Sequence, residues 1–224
     1  RQDIHCNKEV TGVENAPGGC KVRCSDGSVY AAKRVVCSLP LGVLRNIELD
    51  PPLSGLQAEA LQNIESQAIT QFYFAHRSRF WEKDGFAPSM FTDGPAGMVS
   101  ATRSGEDPAE VTGLTAWAMG LKAEKLDTLP AKEAGRLALQ AIEAIRPASR
   151  GQLELVGAHS WGTDPFAQGG WAYFKPGQIA RLTPAMSEPH GLIHFCGEHL
   201  ATDNRGMEGA MESGERAALE IINA

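Results

Sequence analysis

The chain has 224 residues, 42% of them apolar and 21% charged, with a formal net charge of −6. That composition can bury a core in one domain or two small ones, and an acidic chain without a Lys or Arg cluster gives no footing for nucleic acid or an anionic membrane. No apolar run approaches the roughly 20 residues that span a bilayer, and the opening Arg1-Gln2-Asp3 has neither a start Met nor a signal-peptide pattern, so a soluble, cytoplasmic chain cut from a longer polypeptide is expected.

Extended runs and turns alternate over the first forty residues. Residues 8–13, 20–24, 29–32 and 34–38 are predicted strands of a β-meander, with Pro17-Gly18 and Asp26-Gly27 as turn chemistry. Pro51-Pro52 breaks the chain, after which Ser54 is positioned to cap a helix carrying Leu56, Ala60, Leu61 and Ile64 on one stripe. A strand is predicted at 69–75, a short extended piece at 98–101 between loops rich in Gly, Ser, Asp and Pro, and another strand at 112–119. Pro130 opens a helix with Ala134, Leu137, Ala138, Ala141, Ile142 and Ile145 at helical spacing, and Pro147 closes it. A strand at 153–158, a loop region containing Gly and Trp, a strand at 191–196 and a helix at 207–222 complete the chain. Strands and helices mix without regular alternation, which predicts an α/β class of the mixed α+β kind, in two interleaved lobes. The aromatics Trp81 and Trp117 read as core.

The five cysteines are odd in number and lack paired spacing with His partners, so no metal site is expected. Cys20 and Cys24 share a strand face and read as small buried hydrophobes in a reducing compartment.

Chemistry concentrates near the carboxy terminus. A short apolar strand ends on Gly197, and a polar loop leads from it into the last helix; such a junction turns backbone N–H groups and the positive helix end toward a ligand. Gly206 and Gly209 free the first turn for close approach of a flat ligand, while Gly214, Ala217 and Ala218 form a small-residue stripe suited to tight packing. His194 alternates with apolar residues and reads as structural, whereas His199 lies in the ligand loop. Glu208, Glu212 and Glu215 form a solvated face, with Arg216 paired to Glu212.

Phe195-Cys196-Gly197-Glu198, Gly206-Met207-Glu208-Gly209-Ala210 and Ser213-Gly214-Glu215-Arg216-Ala217-Ala218 together resemble the closing motif of the flavin-containing amine oxidases, the family of monoamine, polyamine and L-amino-acid oxidases. Val10, the stretch 35–44 with Pro40, Pro51-Pro52-Leu53, Phe80-Trp81, and Trp161-Gly162-Thr163-Asp164-Pro165-Phe166 with Gly169-Gly170-Trp171 follow the same family's order and spacing. The resemblance implies the C-terminal part of a two-lobed FAD-dependent fold, with residues 1–55 and 161–224 as segments of the FAD domain and 56–160 as the substrate-binding domain. It further implies FAD contacts from Val10, Pro40, Trp161, Gly197, Glu198, Gly206, Met207 and Ala210, the Met207 N–H pointing at the flavin pyrimidine edge. Trp171 becomes one wall of the amine pocket.

Departures from the family pattern are as informative. No GxGxxG unit is present, so an amino-terminal half, as a second chain or a missing segment, is the expected partner; a homo-oligomer is left open. Trp171 and Ala172 stand where some members attach FAD through Cys, which implies non-covalent FAD. Gln71 stands where many members place a lysine bound to a water near the flavin, and Gly206 replaces the second aromatic wall, leaving the pocket half open. The implied reaction is oxidation of an amine or amino-acid CH–NH2 group to an imine, O2 becoming H2O2. Arg103, Arg181 and Arg205 are candidates to grip a substrate carboxylate. A related desaturase or protoporphyrinogen-oxidase-like enzyme, and an inactive fragment serving as a scaffold, are the alternative readings.

Overall fold

The structure, a computed structural model, describes residues 3–223; Arg1 and Gln2, on which the expectation of a trimmed chain partly rests, and Ala224 lie outside the described residues. In chain order the elements are β1 (Val10–Ala16), β2 (Gly19–Cys24), β3 (Val29–Ala32), β4 (Val35–Cys37), α1 (Leu41–Leu44), β5 (Glu48–Asp50), α2 (Gly55–Asn63), β6 (Glu65–Ser66), β7 (Ile69–His76), α3 (Phe80–Asp84), β8 (Met90–Phe91), β9 (Met98–Thr102) and β10 (Gly113–Met119). They continue with α4 (Leu121–Asp127), α5 (Ala131–Ile145), β11 (Leu153–Ser160), β12 (Ala172–Tyr173), α6 (Gln178–Ser187), β13 (Ile193–Phe195) and α7 (Met207–Ile222). The mixed α/β class is the expected one. The chain divides after Ser66 and again after Gly170 into two compact units, the first built from both flanking stretches; the seams expected from sequence lie after residues 55 and 160.

In the first unit, β3-β2-β1-β5 form one sheet. Three of the expected meander strands are consecutive and antiparallel, the Pro17-Gly18 turn joining Ala16 to its partner Gly19. The fourth run leaves this sheet: β4 instead pairs in parallel with β13, Ile193 opposite Val35 and Phe195 opposite Cys37. Val35-Val36-Cys37 lacks polar alternation, as strands of parallel pairs do. β5, which no local pattern announced, lies parallel to β1, and Arg23 links the sheet by ion pairs to Glu14 and, at 2.9 Å, to Glu48. Ser54 precedes α2 in extended conformation, but its side chain makes no capping bond, and Leu56 is exposed while Ala60 and Ile64 are buried. α6 lies in the stretch expected as loop from its Gly and Trp content; the helix carries Pro184 in its interior and buries Leu182 and Met186 against Ile64, Ile193 and Phe195. Cys20 and Cys24 are buried free thiols, as their shared face predicts.

The second unit is a five-stranded sheet in the order β11-β7-β10-β9-β8, antiparallel throughout. β7 is an interior strand between β11 and β10, and its Phe72 and Phe74 are at most 1% exposed and pack with Leu114, Ala116 and Ile142, each phenyl contributing about 1.5–3 kcal/mol by burial. α5 starts after Pro130 and stops before Pro147, as predicted. Gly135 lets it close on β11, since a Cβ there would lie 2.4 Å from Leu155 Cδ2. Arg146, at the end of α5, is buried and forks onto Asp84 at 2.6 and 3.0 Å while donating to the Ala87 carbonyl at 2.7 Å. Trp81 is core as expected, but Trp117 is not: half-buried on the opposite sheet face, it donates from Nε1 to Ser100 Oγ at 3.0 Å.

Candidate functional site

Within the first unit, β13 is fully buried and hands the chain to Gly197, whose φ of 133° is a conformation that favours glycine. A Cβ at Gly197 would stand 2.8 Å from His199 Cε1. The turn is locked by Ser213 on α7: the Gly197 N–H donates to its Oγ at 2.8 Å, and the hydroxyl lies 3.0 Å from the Gly197 carbonyl and 2.9 Å from that of Ala210. Ser213 lies in the closing motif, but the sequence assigned it no contact, because the turn it holds is sixteen residues upstream.

Three polar groups converge on the loop from Gly197 to Arg205. Glu198 accepts the Ala172 N–H through Oε2 at 3.0 Å, and its buried Oε1 has no hydrogen-bond partner. His199 is 5% exposed, its Nε2 is likewise unpartnered, and burial, helped by the Arg205 charge, pushes its pKa down to about 4, so the ring is neutral. Arg205 lays its guanidinium over the Phe174 ring at 4.0 Å and leaves Nη2 buried and unpartnered. An unsatisfied buried polar group costs about 1–3 kcal/mol, and this loop holds three, an acceptor, an imidazole nitrogen and a cationic donor, each open to a further partner.

This loop leads into the N-terminus of α7. Gly206, at φ 107°, precedes the helix without a side-chain cap, and a Cβ there would meet nothing within 4 Å. Gly209 does not share that role: a Cβ on it would lie 2.1 Å from the Asn204 carbonyl oxygen, so this glycine is needed for the loop's own packing. Met207 is 85% exposed and Ala210 half-buried. The expected small-residue stripe is also corrected, for Ala217 is buried, Ala218 exposed, and Gly214 faces open space. Arg216 does not pair with Glu212, which accepts the Thr202 hydroxyl; it pairs with Glu220 and donates to the Phe195 carbonyl at 2.6 Å. His194 is buried, 2.9 Å from the same Glu220. Val10 opens β1 half-buried, and Pro40, exposed, accepts the N–H groups of Val43 and Leu44 at the start of α1.

Gln71 and Trp161 meet in the second unit. Trp161 Nε1 donates to Gln71 Oε1 at 2.6 Å, and Tyr73 donates its hydroxyl proton to the same oxygen at 3.1 Å. The Trp161 loop is pinned by Asp127, which accepts from Thr70 at 2.6 Å and from Ser160 at 2.8 Å, and by Asp164, which accepts the Phe166 N–H at 2.8 Å. His159 stacks edge-on against Trp161 with ring centroids 4.4 Å apart. Trp171 belongs to the first unit and is 40% exposed, so Trp161, Trp171 and Tyr173 are all on the surface of their units rather than in a core.

A short buried strand, a glycine turn, a loop with unsatisfied polar groups and an uncapped helix N-terminus thus follow one another at the carboxy-terminal end of the first unit. The profile of the family described as flavin containing amine oxidoreductase matches residues 1–222, and the chain belongs to that family. It is 25% identical to a flavin-containing amine oxidase of Danio rerio over 231 residues, covering 99% of this chain and 43% of that protein. An L-amino-acid oxidase of Bothrops moojeni is 26% identical over 88% of this chain and 40% of its own. A putrescine oxidase triple mutant superposes with a TM-score of 0.82 at 25% identity, covering 97% of this chain and 48% of that one. Cyclohexylamine oxidase from Brevibacterium oxydans shares the fold, with a TM-score of 0.78 over 95% of this chain and 47% of that one, at 20% identity. The chain thus spans less than half the length of these relatives. Among the described residues, no helix is long and apolar enough to cross a membrane.

Proposed function

We propose that this chain is the C-terminal part of an FAD-dependent oxidoreductase that converts an amine or amino-acid CH–NH2 group to an imine, with O2 reduced to H2O2. The observation that carries this reading is the trio of buried, unpartnered atoms, Glu198 Oε1, His199 Nε2 and Arg205 Nη2, beside the open N-terminus of α7. Their donor and acceptor mixture suits a ribityl-pyrophosphate chain, and Gly197, Glu198, Gly206, Met207 and Ala210 would hold it, with Val10 and Pro40 in the same unit. FAD bound there, non-covalently because Trp171 and Ala172 offer no thiol, supplies the redox chemistry.

The chain's own residues bind, orient and exclude water. The Trp171 indole offers a low-polarity wall, which disfavours an ammonium and keeps the substrate nitrogen's lone pair free. Gln71, an amide, neither takes nor gives a proton in this range. Of the three candidate carboxylate grips, Arg181 is already engaged by Glu59 at 2.8 Å, which leaves Arg103 and Arg205.

An amino-terminal half bearing GxGxxG is the proposed partner. α7 supports this, because Met207, Met211, Leu219 and Ile222 are exposed beside Glu208, Glu212 and Glu215, while Gly209, Ser213 and Ala217 are buried; large exposed apolar side chains on one helix suit a covering partner. A cytoplasmic location accords with five free thiols. Purification of the chain together with that half tests the proposal. A yellow complex that releases intact FAD on denaturation and forms peroxide with a panel of amines and amino acids is expected; a colourless complex, or one inert toward every amine and amino acid, overturns it.

A further inference from the structure

β7 turns Gln71 and Tyr73 to the sheet face opposite Phe72 and Phe74. Gln71 is only 6% exposed, and its side-chain oxygen already holds two donors, the Trp161 indole at 2.6 Å and the Tyr73 hydroxyl at 3.1 Å. An amide's two ends are easily confused in a structure, but not here. An indole N–H can only donate, so the atom facing Trp161 must be the carbonyl oxygen, and rotating the amide by half a turn would set N–H against N–H. Both lone pairs of that oxygen are occupied. What remains is the amide nitrogen with its two N–H bonds, and no acceptor for them exists among the described residues.

We propose that Trp161 and Tyr73 are positioning residues that fix Gln71 as a one-way hydrogen-bond donor, so that this position takes a neutral lone-pair acceptor, an unprotonated substrate amine or a water molecule, and rejects an ammonium. The donor is uncharged at every working pH. An ammonium has only N–H bonds to offer and would meet N–H; a free amine or a water oxygen offers a lone pair. Selection of the neutral form is thereby built into one strand and one loop, in addition to whatever the aromatic walls contribute. The role in the reaction rests on the oxidase reading above, whereas the clamp itself does not.

Three experiments separate those levels. In the isolated chain, the Trp161 indole proton should appear downfield and protected from exchange by NMR, moving upfield in Gln71→Leu whether or not any flavin is present; an unprotected indole proton that ignores Gln71→Leu overturns the clamp while leaving the oxidase reading intact. In the holoenzyme, Gln71→Glu keeps the shape and both clamping donors but turns the outward group into an acceptor. Turnover should fall about tenfold at neutral pH and recover as the pH falls and the introduced carboxylate gains a proton to donate. A loss in kcat/KM for the amine identifies the amine as the acceptor, and a loss in kcat alone identifies water; unchanged activity with an unchanged pH profile overturns the donor role. Trp161→Phe should cost little more in a Gln71→Leu background than none at all, because both act through the same amide, whereas additive losses would assign Trp161 a merely structural part.

Discussion

The Gly197 amide nitrogen and the Ser213 hydroxyl oxygen lie 2.8 Å apart, and through that bond the second turn of α7 governs the shape of a loop sixteen residues upstream. Ser213→Ala would strand the Gly197 N–H, at about 1–3 kcal/mol. A loss of roughly 2–4 °C in Tm per kcal/mol is expected for a chain of this size, together with weaker flavin retention in the complex. Calorimetry and flavin titration of the variant check both, and an unchanged melt would show that the bond does not hold the turn.

Gly197 and Gly206 both occupy left-handed backbone, yet they should respond differently to a methyl group. Gly197→Ala adds a contact of 2.8 Å with the His199 ring to the backbone strain, while Gly206→Ala meets open space and bears the strain alone. Each strained residue costs on the order of 1–3 kcal/mol, so Gly197→Ala should lower the denaturation midpoint further than Gly206→Ala. Equal midpoints would contradict the crowding at His199.

His199 gives the chain an acid-sensitive stability. Its folded pKa of about 4 lies below the 6.5 of an exposed histidine, so between those values the unfolded chain holds the proton and the folded one does not. Stability from this group is complete above about pH 6.5 and is lost as the pH falls toward 4, by about 1.4 kcal/mol per unit of separation. His199→Gln should flatten that part of the stability curve, measured by urea unfolding between pH 4 and 7.

Asp84 carries the second unit's buried charge pair. Asp84→Ala leaves the Arg146 guanidinium, 6% exposed, without its anion, and breaking such a pair costs about 3–5 kcal/mol. Trp81 packs near this corner and its fluorescence should report unfolding at lower denaturant; a shift under 1 kcal/mol, on the order of a surface pair, would mean that the charge finds water.

Met211→Glu tests the uncovered face of α7. Met211 is 63% exposed in this chain, so its own stability should move by no more than about 0.5 kcal/mol, whereas association with the amino-terminal half should weaken measurably by sedimentation. Unimpaired association would place the partner elsewhere.

Sequence alone captured those elements whose pattern is local. β7 and β10 are short runs rich in apolar and aromatic residues, α5 is bracketed by Pro130 and Pro147, and α7 runs over the residues expected, Met207 to Ile222. What it missed depends on distant partners. β5 is three residues long and only its parallel neighbour β1 makes it a strand, while the strand expected over 34–38 forms as β4 but pairs with β13 rather than with the meander. α6 lies in the stretch expected as loop and is held by burial of Leu182 and Met186. At the site, glycines and Glu198 stood out by motif, whereas Tyr73 did not, and the contacts of Ser213 and Arg205 were not legible, since they lie in atoms met across the fold. Arg216 shows the limit of spacing rules: Glu212 and Glu220 are equally near along the helix, and the competing Thr202 hydroxyl settles which one it takes.

The two faces of β7 separate two kinds of evolutionary freedom. Phe72 and Phe74 answer to the core, whereas Gln71 and Tyr73, on the opposite face, are the positions that the proposed donor role gives to chemistry. A saturation library of these four positions should therefore sort by face, solubility failing at one pair of sites and turnover changing at the other, which makes Gln71 and Tyr73 the natural ones to vary when a different substrate is wanted.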